Sequence, residues 1–287
     1  MTDQGEARPT ISIIVATFNR GKTLQRCIDS VAGQTYGPRE LVVIDGGSTD
    51  GSVDIIRANH AKIAAWRSEP DRGIYHAWNK GVTLAKGEWV AFLGADDYLH
   101  DAYALEKMSV HLAVAAGCPR IVYGRVIVVD ASGTELARLG GPWASARRSF
   151  LHGTACLPTP GVMFHRELFG RHGLFDEAFS IAGDYEFLLR ELKYGEARYV
   201  ADIVVTNMQY GGISSRPEST LVSLREMRAA RLKHGLPALN VRYVAALLGV
   251  RLRLVLWRVA GERAARRILD WGRQLLGKPP FWTKVKA

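Results

Sequence analysis

Runs of apolar residues that stop abruptly at polar turns set the rhythm of the first hundred positions. Ile11-Ser12-Ile13-Ile14-Val15-Ala16 reads as a buried strand ending at the polar turn Thr17-Phe18-Asn19-Arg20-Gly21. Leu24, Cys27, Ile28 and Val31 then recur at helical spacing. Leu41 to Ile44 is a second apolar strand, and it runs into Asp45-Gly46-Gly47-Ser48-Thr49-Asp50-Gly51. Val53, Ile55 and Ile56 predict a short helix after it. A weaker strand over Lys62 to Trp66 leads to Glu69-Pro70-Asp71-Arg72-Gly73, and Ile74, Ala77, Trp78 and Val82 mark the next helix. Trp89 to Leu93 is a fourth strand, ending at Gly94-Ala95-Asp96-Asp97.

Continuous apolar strands separated by helices imply an α/β fold with a parallel sheet covered on both faces. The polar clusters fall at the carboxyl ends of the strands, where open α/β sheets bind ligands. Asn19, Asp45, Asp71, Asp96 and Asp97 are therefore expected to converge along one edge.

Further along, Ile121 to Val129 alternates and meets a hairpin turn signal at Asp130-Ala131-Ser132-Gly133. Gly141 to Pro160, rich in Gly, Pro, Ser and aromatics, reads as a long loop of the kind that is functional or mobile. A helix is expected over Tyr185 to Leu192 with Asp184 before it, and a strand over Tyr199 to Met208. The remainder reads as helices. Ala264, Ala265, Ile268, Leu269, Leu275 and Leu276 share one helical face.

Composition and charge refine this picture. The chain has 287 residues, 47% of them apolar and 23% charged, which excludes wholesale disorder and suffices for one large or two smaller domains. Three widely spaced cysteines, Cys27, Cys118 and Cys156, fit reduced thiols better than a disulfide framework or a zinc knuckle. The net charge of +10 is uneven: residues 213–287 hold 16 Lys and Arg against four Asp and Glu. The expected organisation is a near-neutral unit over 1–212 with a basic, mainly helical extension over 213–287. Nucleic-acid binding is not expected of so lopsided a charge. Met1 to Pro9 lacks an apolar signal region, and no long uncharged apolar run occurs, so a cytoplasmic location is expected.

Asp96-Asp97 at a strand end is the strongest local constellation. Adjacent carboxylates repel unless a cation neutralises them, and hard divalent ions favour oxygen ligands. A helix N-terminus with an acidic first turn is the alternative. Asp45 and Asp50 at a neighbouring strand end tilt the balance towards a metal or nucleotide site.

Five blocks in order then make a broader pattern. They are Ile13 to Arg20, Leu41 to Gly51, Glu69 to Gly81, Phe92 to Asp97, and Gly173 to Glu177 with Gly183 to Phe187. With them, residues 10 to about 214 resemble the family 2 glycosyltransferases, which have the GT-A fold, a Rossmann-like, mostly parallel sheet flanked by helices. Gly211-Gly212-Ile213-Ser214 and the Asp71 block look most like enzymes of bacterial surface polysaccharide synthesis.

The resemblance implies roles residue by residue. Thr17 and Asn19 would touch the nucleoside, and Asp45 would accept a hydrogen bond from the base imide. Asp71, Asn79 and Lys80 would line the ribose and diphosphate side. Asp97 would ligate Mn²⁺ or Mg²⁺, with Asp96 beside the ribose or the metal. Gly94 stands where the family often has Asn or an acid, and Gly183 where many relatives have Glu or Asp. Asp184 would be the catalytic base, with Glu186 as the nearby alternative, because an inverting transferase needs one carboxylate to take the acceptor hydroxyl proton. The implied reaction moves a sugar from a nucleotide-diphosphate donor, UDP-linked, to a glycan or lipid-linked acceptor. A noncatalytic nucleotide-sugar binding module and a nucleotidyltransferase are the alternatives. The basic extension would dock on an anionic membrane surface, placing the enzyme peripherally on the cytoplasmic face, or would pack on the catalytic unit.

Overall fold

A computed structural model describes residues 8–115, 118–212, 217–237, 239–275, 277 and 279–284. It shows a mixed sheet with helices on both faces. The strands are β1 (Ile11–Thr17), β2 (Arg39–Asp45), β3 (Ala65–Ser68), β4 (Trp89–Gly94) and β5 (Tyr98–Leu99). They continue with β6 (Ile121–Val129), β7 (Glu135–Leu139), β8 (Val162–His165) and β9 (Arg198–Gln209). In space the order is β3-β2-β1-β4-β8-β6-β9-β5, with β7 paired to β6.

The first four strands pair in parallel, as their helical connections require. Alternation along β1 shows why they are apolar throughout. Ile11, Ile13 and Val15 enter one core with Leu24, Cys27, Ile28 and Val31 of α1 (Gly21–Ala32). Ile14 enters the opposite core with Ala77, Trp78 and Val82 of α3 (Ile74–Leu84). Gly81 lets α3 lie directly on β1, since a Cβ there would collide with Ile14 Cγ2. Between these helices in sequence comes the short α2 (Ser52–Ala58), whose Ile56 joins the core on the α1 face.

Register brings the polar ends level. Thr17 pairs with Asp45, Asp45 with Ser68, and Ala16 with Gly94. Beyond β4 the sheet turns antiparallel through β8 and β6, with α4 (Ala104–Val114) on its face.

Three local expectations shift. Lys62 lies in a short 3₁₀ turn over His60–Lys62, and the third strand runs later, over Ala65–Ser68. Among the described residues that strand pairs only with β2, and it is largely exposed, so its apolar signal is faint. Gly141 to Pro160 is not one loop: it contains α5 (Trp143–Leu151), whose Trp143 and Phe150 are buried. Those two aromatics hold a helix that the flanking Gly, Pro and Ser obscured. The helix after α6 (Glu167–His172) is α7 (Gly183–Leu192), so Asp184 stands in its first turn and Ala182 precedes it.

The basic C-terminal region forms α8 (Pro217–Lys233) and α9 (Val241–Leu275), which breaks at Gly261, where φ is 72°. Met227 and Ala230 of α8 belong to the same core as α7. Leu224, Tyr243 and Val250 form a separate cluster between α8 and α9. Ile213, Ser214 and Leu276 lie outside the described residues.

Candidate active site

A cleft of about 520 Å³ opens at the carboxyl ends of β1 and β4. Thr17, Asp71, Asp96, Asp97 and Asp184 line it, although they span most of the chain. Asn19, Asp45, Asn79 and Lys80 are not among its lining residues.

The turn after β1 lends Phe18 and Arg20 to one wall, and the turn after β2 backs it. Asn19 has a left-handed φ of 51°, a conformation Asn tolerates better than most residues. Its backbone N–H donates to Ser48 Oγ at 2.8 Å, and its Oδ1 accepts from Thr49 N at 2.9 Å. The turn after β1 is thereby stitched to the turn after β2. Asp45 lies behind that stitch, fully buried. It accepts from the Gly47 and Ser48 amides at 3.1 and 3.0 Å and from the Ser48 and Ser68 hydroxyls at 2.5 and 2.7 Å. Its carboxylate is occupied with holding the turn.

Asp71 is the carboxylate that reaches the cleft on this side. Its Oδ2 lies 2.5 Å from where a Cβ on Gly46 would stand, so Gly46 leaves the space that Asp71 fills. Asp71 Oδ1 accepts from Gly73 N at 3.0 Å. Asn79 points elsewhere: it donates to Phe175 O and Glu177 and accepts from Phe175 N, fastening α3 to the segment before α7. Lys80 pairs with Glu69 at 2.9 Å.

At the end of β4, both acidic side chains fold back over Gly94. A Cβ on Gly94 would meet Asp96 Oδ1 at 2.7 Å and Asp97 Oδ2 at 3.1 Å. Asp97 accepts from Gly94 N at 3.2 Å and from Gln209 N at 3.0 Å. Burial, reinforced by the charge of Asp96, pushes the Asp97 carboxyl up to about 7. Arg20 Nε stands 3.8 Å from Asp96 Oδ2, and Arg26 donates to the Asp96 carbonyl at 3.0 Å. A buried carboxylate beside a half-buried one, with only Arg20 and Arg26 near them among the described residues, is the chemistry that a hard divalent cation completes. Among the described residues, no group of three or more His, Cys, Asp or Glu forms a self-contained metal cage. Two carboxylates suffice for Mn²⁺ or Mg²⁺ only when a phosphate-bearing ligand and water supply the remaining oxygens.

Asp184 approaches from the other side. Its Oδ2 accepts from Thr159 Oγ1 at 2.5 Å, and its Oδ1 accepts from Tyr185 N at 2.8 Å. The Tyr75 hydroxyl has one proton to share between Ile181 O at 2.6 Å and Asp184 Oδ1 at 3.3 Å. Burial raises the Asp184 carboxyl above its ordinary value, and these donors only partly offset it. Gly183 belongs to this packing: a Cβ there would strike the Tyr75 ring at 2.7 Å. Glu186 faces the opposite way, fully buried against Arg190, Lys233 and His234, and does not line the cleft.

Some of the lining carried no expectation of contact with the site's carboxylates. Tyr75 lies inside the Asp71 block, and an aromatic directly after Gly-Ile was the available signal. Arg20 stood in the first turn as a lone cation. Thr159, between two prolines in an unpatterned segment, had no signal at all.

The sequence model of "Glycosyl transferase family 2" matches residues 12–173. A PGL/p-HBAD biosynthesis glycosyltransferase of Mycobacterium tuberculosis is 31% identical over 278 residues, 93% of this chain and 99% of the relative. An uncharacterized glycosyltransferase of the same species is 36% identical over 191 residues, 63% of this chain and 68% of the relative. Among solved structures, S. aureus TarS 1-349 in complex with UDP-GlcNAc superposes with a TM-score of 0.61 at 18% identity, over 83% of this chain and 70% of that one. The mannosyltransferase PcManGT from Pyrobaculum calidifontis, in complex with GDP-Man and Mn²⁺, gives 0.61 at 22% identity, over 96% and 83%. These two likenesses bear on the fold, which is GT-A.

Proposed function

The chain belongs to glycosyl transferase family 2 and is a glycosyltransferase of glycan biosynthesis; from that premise we propose a metal-dependent, inverting transfer from a UDP-linked sugar to a lipid-linked or glycan acceptor. The observation that carries the reading is the sharing of one cleft by Asp96 and Asp97 on one side and Asp184 on the other.

Asp97, with Asp96, would hold Mn²⁺ or Mg²⁺, and the bound ion would offset the charge of the departing diphosphate. Thr17 and Asp71 face the nucleoside, and Asp71 offers the carboxylate that accepts from a base imide or a ribose hydroxyl. Asp45 shapes the wall behind it, and Asn19 locks the two turns together. Arg20 adds a positive charge near the diphosphate. Asp184, fixed by Thr159 and the Tyr185 amide, takes the proton of the acceptor hydroxyl as that oxygen attacks the anomeric carbon. The bond from that carbon to the diphosphate oxygen breaks in the same displacement, which inverts the centre.

The lipid-linked acceptor is supported by the exposed face of α9. Tyr243 and Val250 pack inward, while Val241, Val244, Leu248, Leu252, Val255 and Val259 recur at helical spacing on the opposite, exposed side. Arg251 and Arg258 flank that stripe. An apolar stripe edged by arginine suits the headgroup boundary of anionic lipid. Among the described residues, no helix is long and apolar enough to cross a membrane.

Thermal shift with a panel of UDP- and GDP-sugars, with and without Mn²⁺, tests the donor reading. Metal-dependent stabilisation by a UDP-sugar is expected. Binding without turnover on any acceptor would favour a noncatalytic module, and nucleotide-sugar formation from a triphosphate would favour a nucleotidyltransferase.

A further inference from the structure

We infer that Glu226, on the C-terminal helix α8, is a positioning residue for the catalytic carboxylate Asp184; this rests on the reading of Asp184 as the base.

The first turn of a helix leaves backbone N–H groups without partners. Ala182, which precedes α7, has no side chain to satisfy them. Glu226, from 44 to 46 positions downstream, instead holds the three residues that lead into that turn. Its Oε1 accepts from Ser180 N at 2.9 Å and Ser180 Oγ at 2.6 Å, and its Oε2 accepts from Ile181 N and Ala182 N, both at 2.8 Å. One carboxylate thus grips three consecutive amides. Burial opposes the charge, yet the Ser180 hydroxyl and the amides hold Glu226 below the usual glutamate range.

The gripped segment is part of the site. Ser180 and Ile181 line the cleft. The Ile181 carbonyl receives the Tyr75 proton, and Tyr75 Oη stands 3.3 Å from Asp184. Asp184 itself follows two residues after Ala182. The chain of contacts runs Glu226, then the Ser180–Ala182 backbone, then Tyr75 and the first turn of α7, and so to Asp184. Glu226 is set on a firm base, because Arg231 donates to Leu151 O at 2.9 Å and Lys233 pairs with Asp176 and Glu186.

A group that only aims the base should alter the chemical step and leave donor binding alone. Glu226→Ala is expected to lower kcat by about tenfold or more, with the donor KM within about twofold of the parent, since small misplacements of a reacting group carry large rate penalties. Binding of UDP with Mn²⁺, followed by calorimetry, should be unchanged. Glu226→Gln keeps the size but turns one acceptor oxygen into an NH₂ facing amide donors, so a kcat loss without a KM change is expected there also. Parental kcat in the folded Gln variant would overturn the inference, as would kcat losses that merely follow the folded fraction seen by circular dichroism. Asp184→Asn, assayed alongside, separates the two ideas. If it still turns over, the base is misassigned; if it is inactive while the Glu226 variants keep parental kcat, only the role of Glu226 falls.

Discussion

Thr159 and Asp184 share a 2.5 Å hydrogen bond across 25 positions of sequence, from a proline-flanked 3₁₀ turn to the first turn of α7. The hydroxyl spends its proton on Oδ2, while the Tyr185 amide holds Oδ1, so the carboxylate is gripped at both oxygens where it borders the cleft. Asp184→Asn keeps this shape but cannot take a proton. It is expected to lower kcat by about 10²–10⁴-fold while UDP affinity stays near parental, as transfer assays and calorimetry would show.

Burial raises the Asp184 carboxyl above the ordinary aspartate range. The base form is therefore lost at a higher pH than usual, and the acidic limb of the kcat profile should lie above about pH 4. Thr159→Val removes a donor that favours the charged form, so the limb should move further up. A rate profile across pH for both proteins checks the direction; a limb that moves down in the valine variant contradicts it.

Much of this arrangement could be read from residue order. The apolar strands and their polar ends led to the expectation that Asn19, Asp45, Asp71, Asp96 and Asp97 share one edge, because parallel α/β units leave little choice; Asp71, Asp96 and Asp97 line the cleft, and Asn19 and Asp45 do not. Which carboxylate beyond β2 and β3 reaches the cleft could not be read that way. Asp45 and Asp71 look equivalent in one dimension, and only the gap left by Gly46 shows that Asp71 takes the space. Thr159, Tyr75 and Glu226 were illegible as partners because their roles depend on contacts between distant segments.

The difference between the two aspartates can be measured. Asp71→Asn should weaken UDP binding by about tenfold while leaving Tm nearly unchanged, as expected for a lost charge-assisted bond. Asp45→Asn places an NH₂ against the Gly47 and Ser48 amides and should cost about 1–3 kcal/mol of stability. Chemical denaturation and calorimetry on the pair would show a crossed pattern.

Gly94 makes room for Asp96 and Asp97 to turn back over the strand end. Gly94→Ala should push both aside and weaken Mn²⁺-dependent donor binding, with a smaller effect on metal-free UDP binding. Titrations with and without Mn²⁺ would separate the two.

Glu186 ties α7 to the end of α8, and Glu226 ties α8 to the segment that leads into α7. Burial opposes their charge, but Arg190, Lys233 and His234 around Glu186, and Ser180 with the loop amides around Glu226, depress both below the ordinary value of 4.5. Their contribution to stability is full above that value and is lost as pH falls through the lower folded values. Tm should hold steady down to about pH 5 and then drop steeply. Glu226→Gln should flatten part of that drop.

Leu248→Glu with Leu252→Glu replaces exposed apolar contacts on α9 by charge. Flotation with anionic liposomes should fall by about tenfold or more, with turnover on a soluble acceptor unchanged. Equal flotation of parent and variant would remove the membrane role of this face.

The stitch between Asn19 and the Ser48-Thr49 turn has a bearing on how a donor is received. A surface already fixed by its own hydrogen bonds gives up little freedom when a nucleotide lands on it. Thr17, Phe18 and Arg20, the cleft-lining neighbours of Asn19, are thereby held in one arrangement in advance, and little entropy is left to lose there.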